Sequence, residues 1–273
     1  MNLTPVSYAF WIVGLALVLW ACVLAYRRGL QHRLPFFTGY LTIMVASSGL
    51  KWIVYPVFGY GSWAAYYFGW STMALVLAAR SLAVGELCFC LLRAYPGVWQ
   101  LAWRILLVVS LIFVGRAIAV SVSKPYWLNA FVPALERDLE LASTAVLISL
   151  LIIGRYYTLQ MDRLERAVAA GLCICSVSML MTNAALTQAV TTHPPVWLGY
   201  HAWLQVIQTV WNSAQAVFGD VAVIIWIVAL RHPVPAVRPV PDLLPESAYR
   251  ELSPAINFRL RTLNARLLEL LKS

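Results

Sequence analysis

Arg80, Glu86, Arg116, Glu140 and Asp220 stand inside stretches that are otherwise apolar. A charge held in the middle of a hydrocarbon layer costs on the order of 3 kcal/mol on insertion scales. Such groups persist where they face protein, water or one another. The stretch Trp70–Gly97 carries two of them, Arg80 and Glu86, and ends in Arg93 and the breaker Tyr95-Pro96-Gly97. Lys51, Arg80 and Arg116 fall in the outer half or near the middle of their stretches. Glu136, Asp138 and Glu140 open another at its outer end. Opposite signs at similar depth lead us to expect pairing inside a helical bundle. Glu86 and Asp220 are expected deeper, toward the cytoplasm, with Arg80 about one and a half turns above Glu86. Such a cluster of buried charges has two readings. It either fixes the register of the helices, or it forms a proton-sensitive site in which desolvated carboxylates hold protons more tightly than usual.

A second polar feature lies further along. Gln205, Gln208, Asn212 and Gln215 recur at spacings of three and four and lead into Gly219-Asp220. On a helix they share one face. Lipid offers no hydrogen bonds, so that face must point inward. It serves interhelical hydrogen bonding, with Asn183 and Gln188 as plausible neighbours, or it lines a hydrated cavity or small-ligand pocket.

Several chemistries are excluded. Cys88 and Cys90, like Cys173 and Cys175, are two residues apart, and on one helix such side chains point about 200° apart. They cannot share a metal ion, and no metal site or cofactor is expected. No apolar stretch holds a histidine pair for haem, and the last holds no lysine for a retinal Schiff base. Neither an HExxH motif nor a nucleotide-binding glycine loop occurs. Gly219-Asp220 matches half of an intramembrane aspartyl protease motif, but the preceding stretch offers no second aspartate. The reading is therefore non-enzymatic.

The elements that must position these residues follow from composition. The chain is 62% hydrophobic and 11% charged, whereas soluble domains are about 25% charged. Seven stretches are long enough to cross a bilayer: Val6–Tyr26, Pro35–Val57, Tyr67–Arg93, Gln100–Ser121, Leu139–Thr158, Ala167–Val190 and His201–Leu230. With the N-terminus outside, the inner connections hold Arg27, Arg28, Arg33, Arg93, Arg104, Arg155, Arg163 and Arg166. The outer ones hold Lys124 and Arg137. That bias fits the positive-inside rule and a plasma (inner) membrane protein with a cytoplasmic C-terminus. The formal charge of +9 belongs to the inner loops and tail, so nucleic acid is not an expected partner. Residues 1–10 carry no positive charge, which argues against a cleaved signal peptide. The five cysteines all lie in apolar stretches, which indicates no disulfide framework. Aromatic outer connections such as 58–63, 125–127 and 194–200 read as interfacial anchors, or as a surface for sugar or lipid.

The expected fold is thus all-α, with residues 1–230 forming a seven-span transmembrane bundle. A proline-rich cytoplasmic linker follows at 231–252. Residues 253–273 begin with Ser253-Pro254 as a helix start and place Ile256, Leu260, Leu263, Leu267 and Leu270 at helical spacing among Arg259, Arg261, Arg266 and Lys272. This basic amphipathic helix suits an anionic lipid surface or pairing with another membrane or cytoplasmic protein. The order of Glu86, Arg93-Ala-Tyr-Pro-Gly97, Glu136-Arg-Asp-Leu139 and Arg155-Tyr-Tyr157 resembles that of uncharacterised seven-span bacterial membrane proteins, across the third to fifth spans. The resemblance implies seven spans and no activity. Two functions are expected from these readings: a sensory or assembly module that docks through its tail, or a small proton- or ion-coupled transporter or channel.

Overall fold

A computed structural model describes residues 5–59, 62–93, 96–123, 127–156, 162–192 and 200–232, together with positions 262 and 265. Among the described residues there are seven α-helices and no strand. They are α1 (Pro5–Arg27), α2 (Pro35–Phe58), α3 (Trp63–Leu92), α4 (Pro96–Ser121), α5 (Trp127–Tyr156), α6 (Arg163–Thr192) and α7 (Tyr200–Arg231), with a 3-10 turn at Leu30–His32 between α1 and α2. Five of these helices contain, within the described residues, a segment long and apolar enough to cross a membrane: α2, α3, α4, α6 and α7. Most of the expected linker and tail helix lie outside the described residues.

Local chemistry sets the helix ends. Pro35 occupies the first turn of α2, where its missing N–H is no loss. Gly59 closes α2 with φ of 76° and donates its N–H to Tyr55 O at 3.0 Å. Side chains with a Cβ are strained at that φ. Ser62 then caps α3, its Oγ accepting from Ala65 N at 3.1 Å. One boundary differs clearly from expectation. Helix α5 begins at Trp127, not Leu139, so Glu136, Arg137 and Asp138 lie within the helix. Apolar composition stops marking a helix where its acidic residues find cations on neighbouring helices.

The helices form a ring. Helix α1 packs on α2 and α7, α2 on α3, α3 on α5, α5 on α6, and α6 on α7. Helix α4 lies outside the ring, chiefly against α5. The main buried cluster draws on α1, α2, α3, α5, α6 and α7, with residues such as Ala21, Phe37, Leu87, Leu147, Leu172 and Trp226, while the buried Ala117 of α4 lies apart from it. Helix α4 instead exposes Ile105, Val108, Leu111 and Ile112. Such a surface would be a liability in water and is what hydrocarbon requires. In lipid the hydrophobic effect does not drive helix against helix, so close packing and polar links must.

Candidate functional site

Buried charges are distributed over two faces of α5. Glu136 and Glu140 are four residues apart and share a face; Asp138 lies about 200° round the helix from Glu136. The first face meets α3, where the Arg80 guanidinium forms an ion pair with Glu140. Glu136 lies within electrostatic reach of both. The Arg80 and Glu140 side chains are only 7% and 1% exposed. The second face meets α4, where Arg116 Nη1 lies 3.0 Å from Asp138 Oδ2. Arg137 Nε adds a longer contact of 3.7 Å to Asp138 Oδ1. Helix α5 is thereby tied on one side to the ring and on the other to the outlying α4.

Glu86 serves a different element. Leu34, the residue before α2, has no side-chain group to cap the helix. The Glu86 carboxylate, reaching across from α3, fills that role. Its Oε1 accepts from Phe36 N at 3.1 Å and its Oε2 from Phe37 N at 2.9 Å. Two N–H groups that a helix start leaves unpaired are satisfied, and the negative charge sits at the positive end of the helix dipole. A six-residue separation turns a helix by about 240° beyond one full turn, so Arg80 and Glu86 face different neighbours. The expected joint cluster of Arg80, Glu86 and Asp220 is thus replaced by separate placements: Arg80 on Glu140, Glu86 on the start of α2, and Asp220 against α1.

Beside the turn between α1 and α2, Arg33 donates hydrogen bonds to Asp162, just before α6, and to Glu165 Oε1, the latter at 2.8 Å. Burial alone would lower the Arg33 pKa, but the hydrogen bonds to Asp162 and Glu165 more than offset it and raise it above the usual value. Arg28 Nη2 also donates to the Arg231 carbonyl at 2.9 Å. Arg33 and Arg28, in the connection between α1 and α2, thus tether α6 and α7.

A cavity of about 200 Å³ opens between α1, α2 and α7, backed by Cys175 of α6. Helical spacing builds its walls. Tyr40, Met44 and Ser48 come from every fourth position of α2, and Trp11, Gly14 and Val18 from one face of α1. Gly219, Asp220, Val223 and Trp226 complete it from α7. Small residues make the space: a Cβ on Gly14 would lie 3.0 Å from Asp220 Oδ1, so the carboxylate rests against the bare backbone of α1. Trp226 is fully buried, with Phe37 edge-on at 5.1 Å and Tyr40 at 6.3 Å. Trp11 stacks on Trp52, with centroids 4.6 Å apart.

The polar face of α7 is described in part. Gln215 Nε2 donates to Thr182 Oγ1 of α6 at 3.3 Å. Gln205, Gln208 and Asn212 lie on α7, but their side chains are outside the described residues. In the sequence, Trp11, Tyr40 and Trp226 are indistinguishable from other apolar residues of their helices. The available signal was the small-residue pattern of Gly14, Ala216 and Gly219 around Asp220.

Compared with protein-family models, curated proteins and solved structures, the chain matches none.

Proposed function

We propose that the protein crosses the plasma membrane seven times, N-terminus outside, and acts as a non-enzymatic sensory or docking module through its cytoplasmic tail, residues 253–273. The observation that carries this reading is the use made of Glu86. Its carboxylate is taken up by two backbone N–H groups at the start of α2. A group so engaged holds a helix in place, and a proton relay through it would break that cap. Arg80 and Arg116 are likewise engaged by Glu140 and Asp138. The inner-loop arginines supply the orientation, and the basic leucine-spaced tail supplies the docking surface.

The competing reading, a small proton- or ion-coupled transporter, draws on Asp220, which lines the cavity. One comparison separates them. A chain lacking residues 253–273 and the double variant Glu86→Gln, Asp220→Asn are reconstituted beside the full chain. Copurifying protein and pH-driven flux in liposomes are measured for each. The docking reading expects the truncated chain to lose its partner and the double variant to keep it, with no flux in any sample. A partner retained after truncation, together with flux present in the full chain and lost in the double variant, overturns it.

A further inference from the structure

We propose that the cavity between α1, α2 and α7 binds a small organic cation of the alkylammonium class, with Asp220 as counter-ion and Trp11 as the aromatic ring beside it. This goes beyond the docking reading and does not depend on the tail.

Asp220 supplies the first argument. It lies in the apolar segment Ser213–Arg231 of α7, and none of the ion pairs among the described residues includes it. Arg80 of α3 and Arg116 of α4 are engaged elsewhere. A carboxylate in such surroundings is stabilised by a cation that comes to it. Trp11 supplies the second. Cations are attracted to the faces of Trp and Tyr, most strongly where water is excluded. Trp11, half-buried at the cavity, is held in advance by stacking on Trp52, while Tyr40 and Trp226 are buried behind it. Little ordering remains to be done on binding.

Size and field supply the rest. A cavity of about 200 Å³ is far roomier than one water requires, yet it falls short of the ~300–1,000 Å³ of drug-sized pockets. It suits a ligand of a few heavy atoms. Ser48 adds a hydroxyl beside the apolar Met44 and Val18, which favours a ligand with one polar end. Behind the cavity wall, Tyr40 and Cys175 lie within electrostatic reach of Arg80 and Glu140. There the Arg80 guanidinium is paired with Glu140, so its charge is offset behind the cavity.

The test uses the purified full chain in mild detergent, choline as the probe and dimethylbutanol, its uncharged carbon isostere, as the control. Binding is read by calorimetric titration and by the shift in thermal unfolding. Choline should saturate and stabilise, and the isostere should do neither. Asp220→Asn, which keeps the shape and removes the charge, should weaken choline by roughly tenfold or more. A Cβ on Gly219 meets nothing within 4 Å, so Gly219→Leu should fill the cavity and abolish binding while leaving the carboxylate and the fold. That second variant decides the matter if Asp220→Asn does not fold. Absence of saturable choline binding, equal binding of the isostere, or undiminished binding in either folded variant overturns the proposal.

Discussion

Glu86 on α3 accepts the backbone N–H of Phe37 on α2 at 2.9 Å, so a side chain from one helix caps the start of another. The same carboxylate takes Phe36 N at 3.1 Å. Glu86→Ala leaves both donors without this partner and should cost about 2–4 kcal/mol, from a lost cap and unsatisfied N–H groups. Glu86→Gln keeps an acceptor and should cost less than half of that. Thermal unfolding in detergent checks the order, and equal losses in the two variants would show that the cap is not what Glu86 supplies.

Arg80 and Glu140 form a buried pair, and breaking it from one side leaves a charge with no counterpart. Arg80→Ala should cost about 3–5 kcal/mol. Lys51→Ala should cost less, because a half-buried lysine toward the C-terminal end of α2 can extend its ammonium toward water. Replacing both members with apolar residues, Arg80→Met with Glu140→Leu, should recover most of the loss. Additive losses in the double variant would contradict a coupled pair.

Trp226 packs so closely on Gly171 that a Cβ there would lie 2.7 Å from Trp226 Cε2 and closer still to Nε1. The indole has nowhere to retreat, with Phe37 and Tyr40 edge-on to it. Gly171→Ala should therefore destabilise by about 1–3 kcal/mol through overpacking. Adding Trp226→Phe makes room, and the pair should be more stable than the sum of the two single changes predicts. Strict additivity in unfolding midpoints would contradict the contact.

Orientation can be read chemically. In a background free of cysteine, single cysteines at Gly61 and His193 should react with an impermeant maleimide added to intact cells. One at Gln160 should react only after lysis. Labelling of Gln160 in intact cells would reverse the proposed topology.

Helix positions were legible in the sequence because a helix in lipid is a local requirement. Backbone groups must be satisfied within the segment, so apolar stretches and their breakers mark it. Pro35, Gly59 and Ser62 lie where α2 begins, where it ends and where α3 is capped. The triplet Glu136, Asp138 and Glu140 also carried, unread, the position of α5 between two cationic helices, since alternate members point to opposite faces. Partner choice was decided by the tertiary structure alone. Which neighbour a charge meets depends on how each helix is rotated and which helices adjoin it, and packing across the whole bundle sets both. Glu86 met the start of α2 and Arg80 met Glu140, although one helix carries both of them. Helix α4, as apolar as the rest, was left outside the ring, and Asp220 came to rest against Gly14 with three aromatic rings around one cavity.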